Sequence, residues 1–324
     1  MMELTRADLE AAAAQVYRHM PPTPQYVWPQ LAARTGAEVW VKHENHTPTG
    51  AFKARGAITF MDWVKATHPE AKGICTATRG NHGQGQARQA IAAGLTAKVY
   101  VPRGNSVEKN AAMRAFGAEL VEFGGDFDTA REEAFRVAAE EGLIIVPPFH
   151  EAIVRGVATY AFELLSAVPD LDAIYVPIGC GSGICGTLLA RDALGLSTDI
   201  IGVVSTEAQT AKLSVEAGRL IETESARTFA DGMAVRVPWQ AAFDIYSKGA
   251  ARVVAVSDEE VAEAIRIYFH DTHNVAEGAG AAPLAALMRE REVMGGKKVG
   301  VILCGGNIDA SWLTTVLSGG VPKV

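Results

Sequence analysis

Residues 73–102 read GICTATRGNHGQGQARQAIAAGLTAKVYVP, and this stretch decides the fold class. ICTAT predicts a strand, HGQGQARQAIAAG a helix and AKVYVP a second strand. The apolar runs are continuous rather than alternating, which is typical of strands that are covered on both faces. A strand, a helix and a further strand in this order predict a parallel sheet with right-handed crossovers.

The same order continues along the chain on both sides of Pro148. VEKNAAMRAFG, ELVEFG, FDTAREEAFRVAAEEG and LIIVP extend the first series. A second series contains AIYVPIG, ICGTLLARDAL, DIIGVVST, ARVVAVS and KKVGVILCGG. Ser257 and Glu260 predict a capping box at a helix start. Residues 208–231 have no clear pattern and are interpreted as an excursion over the active site. The sequence therefore predicts an α/β protein.

Composition limits the classes of function. The chain has 324 residues, of which 48% are hydrophobic, enough for a large core and about two domains. Its net charge of −7 argues against a nucleic-acid partner and against an anionic membrane surface. The N-terminus has no secretory pattern, and no apolar stretch reaches the ~18 residues of a membrane span. The four cysteines form no CxxC pair, which favours a reducing, cytoplasmic location.

The first loop that could carry chemistry is HTPTGAFKARGA, which contains Lys53. A lysine amine can form a Schiff base with an aldehyde cofactor. The turn of residues 50–52 would withdraw the ammonium from water, which lowers its pKa and keeps it nucleophilic. The alternative is a surface lysine at a helix start.

The second loop is TRGNHGQGQA, directly after the strand ICTAT. Gly80 allows close backbone approach, and the helix start offers N–H groups to an anion. Asn81 can bind an aromatic oxygen, and the Arg79 guanidinium suits a carboxylate. The alternative is an ordinary strand-to-helix turn in which His82 only caps or packs.

The third loop is PIGCGSGICG, after the strand AIYVP. Gly179, Gly181 and Gly183 predict a backbone nest for a phosphate. Residues 181–186 also match GxGxxG, and Glu207 follows the next strand at about the ~20-residue spacing that binds a ribose hydroxyl. An NAD-dependent dehydrogenase is therefore an alternative function.

The fourth loop is LCGGNID, after the last predicted strand. Cys304 would lie at the carboxyl end of that strand, where ligands bind in α/β sheets. Its thiol is a weak hydrogen-bonding partner suited to a ring nitrogen. The alternative is a small buried apolar side chain.

In their order and spacing the four loops resemble the fold type II pyridoxal-phosphate enzymes, the serine/threonine dehydratase and serine racemase branch. TGAFKARGA resembles the lysine motif of that family, TRGNHGQG its asparagine loop, and GCGSG takes the place of its tetraglycine phosphate loop. TFADGMAV, EGAGA, AMRAFGAELVEFG and CGGNID also resemble family segments. The resemblance implies a tryptophan synthase β-like fold, with two three-layer domains and pyridoxal 5'-phosphate in the cleft between them.

The resemblance also implies residue roles. Lys53 would carry the cofactor and then act as the base at Cα, with Phe52 beside the ring. Asn81 would bind the ring 3'-oxygen, and Cys304 would face the pyridine nitrogen. The substrate would bind at the asparagine loop, through Thr78, Arg79, Gly80, Asn81 and His82. The cofactor phosphate would bind at the glycine loop, through Gly179, Cys180, Gly181, Ser182 and Gly183.

Departures from the family narrow the expected activity. Arg79 stands where serine racemases carry a serine acid–base; arginine has a pKa above ~12, so racemisation is not expected. Some relatives bind a divalent cation through a glutamate, a backbone carbonyl and an aspartate. In this chain Glu207 and Ala211 match the first two positions, but Leu213 stands in place of the aspartate and cannot bind a hard cation. No metal is therefore expected.

The sequence-based hypothesis is a dehydratase, or ammonia-lyase, that converts a β-hydroxy amino acid of the threonine/serine type to a 2-oxo acid and ammonia. Hydroxyaspartate and phenylserine are alternative substrates, because Arg79 could bind either the α-carboxylate or a second carboxylate. Residues 1–53 with 149–324 are predicted to form the large cofactor-binding domain, and residues 54–148 the small one. The resemblance further implies a homodimer.

Overall fold

The computed structural model describes residues 2–324. Its strands are β1 Gln25–Val27, β2 Glu38–His43, β3 Gly73–Ala77, β4 Thr96–Val101, β5 Glu119–Glu122, β6 Ile144–Ile145, β7 Ala173–Pro177, β8 Asp199–Ser205, β9 Arg252–Val256 and β10 Lys298–Leu303. Its α-helices are α1 Arg6–Val16, α2 Pro29–Thr35, α3 Lys53–Thr67, α4 Asn81–Ala92, α5 Val107–Ala115, α6 Phe127–Glu141, α7 Glu151–Ala167, α8 Ser182–Ala193, α9 Thr210–Ala217, α10 Gln240–Gly249, α11 Asp258–Thr272, α12 Gly278–Arg289, α13 Arg291–Met294 and α14 Ala310–Leu317.

Local sequence signals explain most of these elements. The predicted capping box is present: the Ser257 hydroxyl accepts from the Glu260 N–H, and the Glu260 carboxylate accepts from the Ser257 N–H. Asp126 caps α6, which ends at Gly142 in the left-handed region. The segment 208–231 contains α9, which the sequence did not predict, and a short 3₁₀ turn, Asp231–Met233, begins at its last residue.

Two sheets form the framework. The smaller sheet has the order β5-β4-β3-β6 and is entirely parallel. The larger has the order β1-β2-β10-β7-β8-β9 and is parallel except for the antiparallel pair β1–β2. The α/β class with parallel and mixed sheets is therefore confirmed.

Burial follows the prediction from the continuous apolar runs. All five residues of β3 are buried, as are the last five of β10, which lies between β2 and β7. Both strands are covered on both faces, as parallel sheets require. Within residues 2–324, no helix is both long enough and apolar enough to cross a bilayer.

A buried cluster of charges fixes the start of α3. Arg55 and Glu44 are fully buried and form an ion pair with an Nε–Oε2 distance of 2.7 Å. Glu163 of α7 accepts from Arg55 at 2.6 Å and from the buried Lys42 at 2.6 Å. The two cations and two anions balance each other, and the cluster connects α3 with β2 and α7.

Candidate active site

The loops predicted to carry chemistry lie together because three of them follow carboxyl ends of strands. The asparagine loop follows β3, the glycine loop follows β7, and Cys304 follows β10. Residues from all three loops line one cavity with Phe52 and Lys53. This position agrees with the rule that ligands bind outside the carboxyl ends of strands in α/β sheets.

Lys53 is the first residue of α3 and points into this cavity. The Phe52 N–H donates to the Cys304 carbonyl at 2.9 Å, and Ala51 forms a β-bridge with Gly305, so the lysine loop is attached to the end of β10. The Lys53 Nζ lies 3.3 Å from the Ser182 Oγ. Burial lowers the pKa of the Lys53 amine, which increases its neutral, nucleophilic fraction.

The glycine loop surrounds the start of α8. Gly181 is the N-cap with a φ of 96°, and no side chain caps this helix. The first N–H groups of α8 have no acceptor within the helix, so they are available to an anion. A Cβ on Gly179 would lie 2.2 Å from the carbonyl oxygen of Gly232, so only glycine fits there. The five predicted phosphate-loop residues, Gly179, Cys180, Gly181, Ser182 and Gly183, all line the cavity.

The asparagine loop is shaped by Thr78. Its hydroxyl accepts from the N–H groups of Gly80 at 2.9 Å and Gly83 at 3.3 Å, which explains the turn into α4. Asn81 begins α4 and is held at both ends of its amide: its Nδ2 donates to Glu277 at 2.6 Å, and its Oδ1 accepts from Asn307 at 2.8 Å.

His82 is buried beside this loop. Burial, together with the nearby Lys53, lowers the pKa of His82 to about 3, so the imidazole is neutral at ordinary pH. Its Nε2 atom is buried without a hydrogen-bond partner among the described residues. His82 therefore lines the cavity as a neutral polar group.

Arg79 lies where two cavities meet. The second cavity shares five residues with the first, among them Arg79 and Cys180. It adds three further arginines, Arg131, Arg227 and Arg236, and three carboxylates, Asp126, Asp128 and Glu224. Arg131 and Arg236 both contact Asp128, whereas within residues 2–324 Arg79 is in no ion pair. Arg79 is exposed at this mouth, where its charge is available to an anionic ligand.

Cys304 is 4% exposed, and burial raises the pKa of its thiol well above the usual value. Burial likewise raises the pKa of the Cys180 thiol in the glycine loop. Both side chains are therefore neutral thiols at ordinary pH. The predicted role of Cys304 beside a ring nitrogen stays a prediction, and a neutral thiol is compatible with it.

Three charged residues that line this cavity had no role predicted from the sequence: Lys109, Asp231 and Glu277. Asp231 and Glu277 belong to the segments ADG and EGAGA, whose resemblance to the family implied no particular role for either carboxylate. Lys109 of α5 forms an ion pair with Asp231 and lies 3.7 Å from Glu277. Burial raises the pKa of Glu277 to about 7, and Lys109 opposes this shift.

The two positions considered for a metal lie apart from these residues. Glu207 is exposed after β8, Ala211 is buried in α9, and Leu213 is exposed. Among residues 2–324, no three His, Cys, Asp or Glu side chains are grouped as a metal site would require. The expectation that the protein has no metal stays a prediction.

The residues present fit pyridoxal 5'-phosphate. An amine with a lowered pKa suits its aldehyde, the uncapped start of α8 suits its phosphate, and a neutral thiol suits its ring nitrogen. The 3.3 Å separation of the Lys53 Nζ and the Ser182 Oγ brings the amine and the phosphate loop to one place.

Comparison with known proteins agrees with this fit. Residues 16–305 match the family model described as pyridoxal-phosphate dependent enzyme. The L-threonine ammonia-lyase of Geobacter sulfurreducens is 38% identical over 293 residues, which cover 90% of this chain and 72% of that protein. The beta-hydroxyaspartate dehydratase of Paracoccus denitrificans is 32% identical over 307 residues, covering 94% and 96%.

Structural comparison gives the same result. A crystal structure of the T.th. threonine deaminase superposes with a TM-score of 0.88 at 32% identity, covering 94% of this chain and 99% of that one. The family model covers most of the chain, and it favours pyridoxal phosphate over the NAD-dependent alternative. The chain therefore belongs to the family of pyridoxal-phosphate dependent enzymes.

Proposed function

We propose that the protein is an ammonia-lyase that dehydrates a β-hydroxy amino acid of the threonine/serine type to a 2-oxo acid and ammonia. The observation that carries this proposal is the position of Lys53. Its amine lies at the meeting point of the lysine loop, the glycine loop and Cys304, with its pKa lowered by burial. The names of the threonine ammonia-lyase and the threonine deaminase among the similar proteins support the same reaction class.

The cofactor supplies an electron sink for the pair of electrons that is released when the Cα proton leaves. The neutral Lys53 amine accepts that proton, because burial favours its uncharged form. The resulting ammonium then donates a proton to the β-hydroxyl, which leaves as water. Hydrolysis of the enamine product yields the 2-oxo acid and ammonia.

The other predicted residues hold the reactants. Asn81 would donate to the 3'-oxygen of the cofactor, and Phe52 would lie beside the ring. The first N–H groups of α8 would hold the phosphate. Cys304 stays uncharged, so it does not stabilise a protonated ring as a carboxylate would; this favours rapid loss of the β-hydroxyl over transamination. The N–H groups at the start of α4, in the loop of Thr78 to His82, bind the substrate α-carboxylate.

A second candidate substrate is a β-hydroxy dicarboxylate such as 3-hydroxyaspartate. Arg79 favours it, because its guanidinium lies at the mouth of the cavity without an ion-pair partner among residues 2–324, next to the other arginines of the second cavity. A planar guanidinium binds a carboxylate through two parallel hydrogen bonds. The beta-hydroxyaspartate dehydratase among the similar proteins supports this candidate.

The decisive experiment measures keto-acid formation from both enantiomers of threonine and serine, from phenylserine and from the 3-hydroxyaspartates. The proposal expects turnover of threonine or serine; no turnover of any of these substrates by the cofactor-loaded protein would contradict it. Arg79→Ser separates the two substrate classes. Selective loss of dicarboxylate turnover assigns Arg79 to the distal carboxylate, whereas an equal loss for all substrates assigns it to the shared α-carboxylate.

The domain division, the oligomeric state and the location of the protein are further proposals. The strands of the smaller sheet all fall within residues 54–148 and those of the larger sheet outside it, which supports the predicted domain division. A homodimer is proposed from the family resemblance, and a cytoplasmic location from the cysteine pattern; light scattering of the purified protein tests the dimer.

A further inference from the structure

Glu277 is an unusual N-cap residue. It precedes α12, but its side chain does not cap that helix. Instead, the carboxyl group lies in the cofactor cavity, where the residue is only 2% exposed. Its Oε1 accepts from the Asn81 Nδ2 at 2.6 Å, and its Oε2 is buried without a hydrogen-bond partner among residues 2–324. A buried carboxyl that does not cap its own helix requires another explanation.

This carboxyl is one end of a directed chain of hydrogen bonds. The Asn307 Nδ2 donates to the Thr49 carbonyl and to the Asn81 Oδ1, both at 2.8 Å. Asn81 in turn donates through Nδ2 to Glu277. An ionised carboxylate can only accept hydrogen bonds, so Glu277 must face the NH₂ group of Asn81. Asn307 donates through its Nδ2, so it must face the Asn81 Oδ1.

The direction of the Asn81 amide matters because its two sides have opposite hydrogen-bonding character. One hydrogen of Nδ2 is used by Glu277, which leaves the other for a ligand. If the amide were reversed, an oxygen would face the ligand instead. A ring oxygen that carries negative charge would then meet an acceptor and be repelled.

Titratable groups from several elements surround Glu277. Lys109 of α5 lies 3.7 Å from the Glu277 Oε2 and is also paired with Asp231. Lys53 and Cys304 face it from α3 and from the end of β10. Burial raises the pKa of Glu277 to about 7, whereas the Lys109 ammonium favours the ionised form, which can only accept hydrogen bonds.

We propose that Glu277 is a positioning residue: with Asn307 it fixes the direction of the Asn81 amide, so that an N–H group rather than an oxygen faces the 3'-oxygen of pyridoxal phosphate. This inference rests on the proposed role of Asn81. It does not depend on which amino acid is the substrate.

Reversing the polarity of the chain tests the proposal. In the double variant Glu277→Gln with Asn307→Asp, position 307 can only accept and position 277 can donate, so Asn81 is expected to turn over. The bond from position 307 to the Thr49 carbonyl is lost, as it is in Asn307→Ala. The measurement is the dissociation constant of pyridoxal phosphate at pH 8, with the absorption maximum of the bound cofactor. We expect binding at least about tenfold weaker, which corresponds to the loss of one hydrogen bond to a charged group, and a shifted maximum.

Matched single variants distinguish a reversed Asn81 amide from the loss of a hydrogen bond to it. Glu277→Gln keeps an oxygen that can accept from Asn81, and Asn307→Ala removes the bonds to Thr49 and Asn81 but leaves Glu277 to orient the amide. Both should stay within about threefold of the wild-type dissociation constant, since one fixed end suffices. Asn105→Asp, at an amide that contacts Asn110 outside the cavity, controls for the new charge.

The outcomes distinguish the role of Glu277 from that of Asn81. If the double variant binds the cofactor as tightly as the wild type with an unchanged absorption maximum, or no more weakly than Asn307→Ala, the positioning role is wrong. If Asn81→Ala also leaves binding and absorption unchanged, the proposed role of Asn81 itself is wrong. Similar melting temperatures of the double variant and of Asn307→Ala show that both proteins are folded when their dissociation constants are compared.

Discussion

The Nζ of Lys53 lies 3.3 Å from the Oγ of Ser182, so the first residues of α3 and α8 meet at one point. The two helices belong to distant parts of the sequence, yet their starts face the same cavity. The amine proposed to bind the cofactor aldehyde and the N–H groups proposed to bind its phosphate are thus positioned by the starts of two helices.

Lys53→Ala should abolish the visible absorption of the bound cofactor. Keto-acid formation should fall by on the order of 1,000-fold or more, because the base at Cα is lost with the attachment point. Borohydride reduction followed by peptide mapping should label Lys53 in the wild type. Lys298→Ala, at a lysine paired with Asp170 on the surface, should leave both properties unchanged. A label on any other lysine would contradict the assignment.

Gly179→Ala should weaken cofactor binding by roughly tenfold. The new methyl group would lie 2.2 Å from the carbonyl oxygen of Gly232, so the loop must move away from the Asp231–Met233 turn, at a cost of about 1–3 kcal/mol. Equilibrium dialysis with pyridoxal phosphate measures the effect. Gly295→Ala is the matched control, because a Cβ there meets its nearest atom at 3.6 Å. Equal affinities in the two variants would show that the loop tolerates the displacement.

Glu44→Gln should lower the free energy of unfolding by about 3–5 kcal/mol, because it leaves the buried Arg55 with too little negative charge. Urea unfolding monitored by circular dichroism measures this change. Glu10→Gln removes an exposed partner of Arg6 and should change stability by less than about 1 kcal/mol. Similar effects of the two substitutions would mean that water reaches the buried cluster.

The stability of the protein should depend on the protonation of Glu277. Burial raises the pKa of this carboxyl from 4.5 to about 7 in the folded state. A raised carboxyl pKa contributes stability that is fully present below pH 4.5 and is lost as the pH rises through about 7. The unfolding free energy of the wild type relative to Glu277→Gln should therefore fall between pH 5 and pH 8. A constant difference in urea unfolding across this range would contradict the shift.

Much of the fold could be predicted because its signals are local. The β3–α4 unit follows from a continuous apolar run and a glycine-rich helix start, and the Ser257 cap from a spacing of three residues. The meeting of the loops that follow β3, β7 and β10 was also predictable, since the carboxyl ends of parallel strands share one edge of a sheet. By contrast, α9 lies in a segment whose sequence shows no clear period.

The polar contacts inside the cavity could not be predicted in the same way. Glu277 and Asn81 are 196 positions apart, and nothing near Glu277 indicates that its carboxyl points away from its own helix. Lys109 lies in α5, whose sequence has the pattern of an amphipathic helix and gives no sign that this lysine is buried in the cavity. Its pairing with Asp231 depends on how α5 packs against the turn, which only the tertiary structure determines.

The place of β10 between β2 and β7 has a consequence for synthesis on the ribosome. The four strands of the smaller sheet are consecutive in the sequence and can pair as they emerge. The larger sheet stays split into two halves until residue 303 has left the exit tunnel, because its central strand is made last. Cys304, whose carbonyl accepts from the Phe52 N–H, arrives with that strand. The larger sheet and the cavity at its carboxyl edge can therefore form only after β10, which follows all other strands of that sheet in the sequence.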